Sequence, residues 1–301
     1  MSASLPSPTA FISVLIAALL ACASCARVRT PAEPAEEDAA TAAYFEVVDR
    51  LCAFPRDGER AVVVASVLVR GTSNGRPVWG RVWVGTDHKY RSLRVESEAP
   101  AEFILTADRA LPADGEMADG DATLQLPRQR QVVLRESSRQ LLSTVLGLPL
   151  AAHEFVWVFT GCAHLSGGFD ARTLGPNDKR VSIVGNTVLI DYFLRRPGPQ
   201  SSWSLSAMSR ETRGRAFRWR AEYTRDPENV LRSIRIVSEE ANRAPGRLFD
   251  LDLSLSRIQF APVVGPETFS PTVPPGARRV SLAIVRRNLS GPLVNMAGGA
   301  Q

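Results

Sequence analysis

Apolar and polar residues alternate with period two along much of this chain. From Ala216 to Tyr223 the apolar set is Phe217, Trp219, Ala221 and Tyr223, with Arg218, Arg220 and Glu222 between them. From Leu248 to Leu255, Phe249, Leu251, Leu253 and Leu255 alternate with Asp250, Asp252, Ser254 and Ser256 beyond. From Val78 to Gly85, Val78, Val82 and Val84 fall on one side, and Trp79, Arg81 and Trp83 on the other. This alternation predicts antiparallel strands with one face in a core and one in water. Shorter runs predict further strands at Ala61–Arg70, Tyr90–Val95, Glu102–Thr106, Ala122–Leu126, Gln131–Leu134, Val181–Val184, Thr187–Leu194 and Val280–Ile284. Turn residues separate them at Gly71–Gly75 and at Gly185-Asn186, the latter expected to close a hairpin.

Three segments carry helical spacing instead. Thr41–Cys52 repeats Phe45, Val48 and Leu51/Cys52 at intervals of three and four. Arg135–Leu146 carries Leu141, Leu142, Val145 and Leu146 and is expected to stop at Gly147, with Pro149 beyond. Ala151–Thr160 offers Phe155, Val156, Val158 and Phe159 and stops at Gly161. Strands do not alternate regularly with helices, so a parallel α/β fold is excluded. The three helices are the expected cover for the dry face of the sheet.

The N-terminus follows another logic. Phe11–Leu20 is a run of ten uncharged, mostly apolar residues, too short for a bilayer span and suited to a signal-peptide core. Leu19-Leu20-Ala21-Cys22 then looks like a lipobox, in which Cys22 would become the acylated N-terminus. No Lys or Arg precedes Cys22, a departure from the usual leader. Cys25 is a second candidate, and the alternative is an ordinary cleaved leader ending near Ala21 or Ala23. Arg27–Ala40, with two prolines and a cluster of acids, reads as a solvated tether. The expected organisation is a leader over 1–21, an anchor and flexible tether over 22–40, one domain over 41–292 and a disordered tail over 293–301.

Composition narrows the function classes. With 45% hydrophobic and 22% charged residues the chain is globular. Its net charge of +5 is spread among acids without any basic run, so a nucleic-acid partner is not expected. The three histidines, His88, His153 and His164, lack metal-ligand spacing and are read as solvated, so no metal and no cofactor is expected. The one Gly-x-Ser-x-Gly string, Gly71–Gly75, falls in a predicted turn between strands rather than a strand-to-helix elbow, and no phosphate loop occurs. Asp250 and Asp252, two apart on a strand, read as part of a polar outer face rather than as a catalytic pair. The chain is therefore expected not to be an enzyme. Cys52 and Cys162 each end a predicted helix beside the predicted core. In an oxidising compartment they are expected to pair, the alternative being two buried free thiols.

Several segments, taken in order, resemble the LolA/LolB-type outer-membrane lipoprotein family. Tyr90–Ser97, Ala99-Pro100-Ala101 and Glu102–Ala107 resemble its strand–loop–strand, and Ala122–Pro127 the next strand. Leu146-Gly-Leu-Pro-Leu150 followed by Phe155–Gly161 looks like its helix–turn–helix element. Phe249–Ser256, Pro274–Ala277 and Val280–Leu282 resemble its closing strands. Ser97–Ala101 lacks the exposed leucine that LolB carries on its protruding loop. The resemblance implies an α+β fold, an incomplete antiparallel β-barrel wrapped around a few helices. It also implies an apolar cavity for the acyl chains of lipids or lipoproteins. On this chain the expected lining is Val82, Val84, Leu93, Leu142, Leu146, Phe155, Trp157, Phe159, Phe217, Trp219, Leu251 and Leu253.

These readings combine into one expectation. The protein would be a lipid-anchored envelope lipoprotein, on the outer membrane facing the periplasm. It would bind acyl chains and serve lipid or lipoprotein transport. The alternative is a non-catalytic docking subunit whose partners are other envelope proteins.

Overall fold

The computed structural model describes residues 34–52, 62–87, 92–98, 102–107, 121–163, 168–212, 217–240, 248–261, 268–270, 273–287, 289 and 292–295. Cys22, Cys25, His88, His164 and the loop at 99–101 lie outside them. Contacts separate Met1–Pro34 from one compact unit, Ala35–Gln301, which carries the hydrophobic core.

Helix α1 spans Pro34–Leu51. Strands β1 (Val62–Ser73), β2 (Arg76–Asp87), β3 (Ser92–Ser97), β4 (Ile104–Ala107), β5 (Asp121–Leu126) and β6 (Gln131–Ser137) follow. Helices α2 (Ser138–Leu146) and α3 (Ala152–Thr160) interrupt them. Strands β7 (Gly168–Gly175), β8 (Asp178–Val184), β9 (Val188–Arg195), β10 (Ser204–Thr212), β11 (Phe217–Arg225), β12 (Leu231–Glu240) and β13 (Phe249–Ala261) complete the second half. The two-residue strand β14 (Arg278–Arg279), helix α4 (Leu282–Arg287) and a 3-10 turn at Leu293–Asn295 end the described chain.

The strands form one large unclosed sheet in the order β14-β6-β5-β4-β3-β2-β1-β13-β12-β11-β10-β9-β8-β7. Every pairing is antiparallel except β14 with β6. β1 joins the halves, pairing with β2 on one side and β13 on the other.

Register explains the core. In the first half Ala65, Val84, Val95, Leu105, Leu124 and Val133 stand opposite one another across six strands. In the second half Gly71, Leu251, Ile236, Ala221, Met208, Tyr192, Val181 and Ala171 do the same across eight. Every side chain in these rows is buried, and only Gly71, which has none, is exposed. Directly opposed apolar pairs are the unit of sheet stabilisation. The period-two pattern of the sequence thus becomes a continuous dry face.

The helix ends are chemically specified. Ser137 caps α2 by accepting the Gln140 N–H at 3.2 Å. Gly147 and Gly161, at φ 73° and 74°, end α2 and α3 in the left-handed conformation that glycine adopts without strain.

Four expectations are corrected. The tether was expected to run to Ala40, yet α1 begins at Pro34 and Ala40 is fully buried. The same helix buries Ala43, Tyr44 and Val47 and leaves Phe45 47% exposed, so its inward face is rotated from the predicted one. Val280–Ile284 is not a strand. After β14 the Ser281 carbonyl accepts the Ile284 and Val285 N–H groups, and Leu282 and Val285 bury the inner side of α4. The expected tail is structured through Asn295. The ideal position of a Cβ on Gly80 lies only 2.1 Å from the Val294 carbonyl oxygen, so the 3-10 turn rests directly on β2.

Candidate functional site

The residues expected to line an apolar cavity arrive from separate elements. Leu142 and Leu146 come from α2, and Phe155, Trp157 and Phe159 from α3. Val82 and Val84 come from β2, Leu93 from β3, Trp219 from β11, and Leu251 and Leu253 from β13. All eleven join one apolar cluster, none more than 3% exposed. Phe217 opens β11, but its side chain lies outside the described residues. The two described surface pockets are lined by other residues.

One polar atom inside this cluster stands out. Trp219 is fully buried, and among the described residues its indole Nε1–H has no acceptor. A buried donor without a partner costs free energy, about 1–3 kcal/mol, so native interiors rarely keep one.

Beside it lies a charged device that sequence reasoning missed. Arg210 of β10 stands directly opposite Trp219 of β11. Its guanidinium forms an ion pair with Glu154 of α3 at 2.7 Å. Arg139 of α2 approaches the other oxygen of the same carboxylate at 2.8 Å. That oxygen also accepts the Ala151 N–H at 2.7 Å, closing the first turn of α3. Glu154 is fully buried. The triad holds both mid-chain helices and the second half of the sheet at one point.

His153, expected in solvent, is 2% exposed and packs edge-on against Trp157 with ring centroids 5.0 Å apart. Its neighbour Glu154 carries it under the sheet's cover. Asp250 faces outward as expected and is bound bidentately by Arg235 at 3.0 and 2.9 Å. Asp252 accepts the Ser254 hydroxyl at 2.9 Å.

Tyrosines anchor the helix ends. The Tyr223 hydroxyl donates to the Val158 carbonyl at 2.9 Å, capping the last turn of α3. Tyr192 accepts the Ala163 N–H at 3.1 Å and contacts Tyr44 of α1 edge-on at 5.1 Å. Burial raises the Tyr44 phenol from its ordinary 10 to about 12. It also raises Tyr192 and Tyr223, so all three stay neutral donors.

Cys52 and Cys162 form a disulfide, with Cα atoms 5.7 Å apart. It ties the end of α1 to the residue after Gly161. Leu51 sits near that glycine, and Arg50 donates to the Trp203 carbonyl at 2.8 Å. No helix among the described residues is long and apolar enough to cross a membrane.

No family model matches this sequence, and no curated protein does. Among solved structures the chain is similar to a LolA superfamily protein from Nitrosomonas europaea. That likeness has 15% identity, a TM-score of 0.46, and covers 77% of this chain and 97% of the other. It is also similar to an outer membrane lipoprotein-sorting protein domain from Vibrio parahaemolyticus, at 11% identity and a TM-score of 0.48, over 75% and 95% of the two chains.

Proposed function

We propose that this protein is an envelope lipoprotein that holds acyl chains of lipids or lipoproteins between its sheet and its helices. The observation that carries the reading is the Trp219 indole N–H, which among the described residues has no acceptor although it lies inside the buried apolar cluster that ten other expected lining residues join. Such a cluster takes up an acyl chain at about 0.8 kcal/mol per buried CH₂. The indole supplies the one donor that an ester or carboxyl oxygen requires.

Curvature of the sheet supports the enclosure. Helix α3 packs on β3, while its Glu154 reaches β10 and its Val158 reaches β11. β3 and β10 are six places apart in strand order. In a flat sheet six spacings of about 4.8 Å would separate them by roughly 29 Å, against a helix diameter of about 10–12 Å. This span supports the reading of an incomplete barrel that curls around the helices. Acylation of Cys22 would hold this unit at a membrane, with the outer membrane, facing the periplasm, as the reading that the family resemblance favours.

A second reading draws on the same burial. Side chains with 0–3% exposure can fill their own interior, which suits a non-enzymatic docking subunit with protein partners. One measurement separates the two. The chain starting at Arg27 is secreted into a bacterial periplasm, purified, extracted with organic solvent and analysed by mass spectrometry. Stoichiometric phospholipid or fatty acid supports acyl-chain binding. A lipid-free protein that takes up no fluorescent fatty acid overturns it in favour of docking.

A further inference from the structure

One edge of the sheet carries a cationic groove that the interior reading does not use. Strand β6 pairs with β5 until Val133 stands opposite Leu124, and the next pairing is Glu136 with Ala122. An extra residue is therefore accommodated between them, a bulge. Arg135 lies within it at φ 53°, in the left-handed region that L-residues other than Asn and Asp seldom adopt. Bulges redirect side chains, and strained backbone of this kind concentrates at functional sites.

On the other edge of β6, β14 sets Arg279 opposite Val132, three residues before Arg135, and α4 follows. Together Leu134, Arg135, Arg279, Val280, Ser281 and Ile284 line a groove of about 710 Å³. That falls within the range of about 300–1,000 Å³ typical of small-molecule sites. None of the six is acidic. Among the described residues neither guanidinium takes part in an ion pair. Arg130, whose carbonyl accepts the Arg278 N–H at 2.8 Å, and Arg278 itself extend the positive edge. Arg287 closes α4 on its exposed side.

The apolar part of the groove is also out of place for a solvated edge. α4 turns Leu282 and Val285 inward, yet Ile284 is 43% exposed at the groove's rim. An exposed isoleucine among cations suits the boundary between headgroups and acyl chains.

We propose that the Arg135–Arg279 groove docks the phosphate headgroups of an anionic bilayer surface, with Ile284 entering the interface. A guanidinium fork matches phosphate oxygens in pairs, which an isolated lysine does not. The groove faces a membrane without using the interior, so this docking stands apart from acyl-chain binding in the core.

The test is sedimentation of the chain starting at Arg27, which lacks Cys22, with phosphatidylcholine vesicles and with vesicles of equal parts phosphatidylcholine and phosphatidylglycerol. Preferential binding to the anionic vesicles, weakened by salt, is expected. Each arginine near such a surface is worth about fivefold in partitioning, so R135A/R279A loses roughly 25-fold. R70A/R257A removes the same charge from exposed positions elsewhere and changes binding less than about threefold. R135K/R279K, which keeps the charge but not the fork, falls between, and it serves in place of the alanine pair if that pair does not fold. Equal binding to both vesicle types overturns the proposal. So does an equal loss in both alanine pairs, which would leave only diffuse charge. Displacement by millimolar inorganic phosphate also overturns it, because the site would then belong to the free anion. Lipid extraction from the interior reports on the other reading, so the two fail separately.

Discussion

Arg210 on β10 and Glu154 on α3 form a buried ion pair at 2.7 Å although 56 residues separate them in sequence. Glu154 is fully buried, and the Arg210 side chain is 12% exposed. Removing one partner of a buried pair leaves an uncompensated charge, and such losses run to about 3–5 kcal/mol. E154A is expected to lower unfolding free energy by about that much in urea titration. E154M/R210M removes both charges and recovers most of the loss, since apolar replacements of buried pairs are often neutral. If the double variant is as unstable as the single one, the pair is not what joins α3 to β10.

The Cys52–Cys162 bond closes a loop with a sequence separation of 110. In the chain-entropy model a loop of that length contributes about 4–5 kcal/mol. The chain starting at Arg27 contains only these two cysteines. Denatured without reductant, it is expected to show no free thiol. C52S/C162S is expected to unfold at clearly lower denaturant with little change in the folded spectrum.

Gly80 is the floor on which the C-terminal turn rests. A methyl at this position would meet the Val294 carbonyl at 2.1 Å, a contact with backbone that cannot rotate away. G80A is expected to cost about 1–3 kcal/mol, as overpacking does. It is also expected to expose the chain beyond Arg287 to protease. Removing residues 293–301 in the G80A background should then cost little more, a coupling that a double-mutant cycle reads directly.

Alkaline pH tests the buried phenols. Tyr44 is raised from 10 to about 12, and Tyr192 and Tyr223 are raised as well. In the unfolded chain these groups ionise first, so the native state loses ground once pH exceeds 10. Their contribution is complete below pH 10 and declines as pH rises through about 12 for Tyr44. Unfolding midpoints followed from pH 8 to 12 should show this fall, and Y44F should flatten it. A flat profile in the parent chain would place these phenols in water.

Much of the sheet was legible because a strand with one dry face writes its burial every second residue. Leu251, Leu253, Trp219, Ala221, Val82 and Val84 all occupy the buried side that alternation assigned them. The hairpin at Gly185-Asn186 is present, with the Gly185 N–H donating to the Val188 carbonyl at 2.9 Å. Strands β7, β10 and β12 were not foreseen. β7 and β10, GFDARTLG and SLSAMSRET, mix polar groups onto both faces, and only their neighbours supply the hydrogen bonds and partners that make them strands.

The sequence by itself determined the half-dry antiparallel character, the two mid-chain helices with their glycine stops, and the cysteines that pair. Those properties are written in local periodicity and in residue chemistry. Tertiary structure alone decided the rest. It buried His153, set Glu154 between Arg139 and Arg210, left the Trp219 N–H without an acceptor among the described residues, and brought Arg135 beside Arg279. The reason is physical. Alternation states which way a side chain points from its own strand, but not which distant strand lies opposite. The strand order β1 to β13 and β6 to β14 supplies that information, and each of these polar arrangements depends on such long-range neighbours.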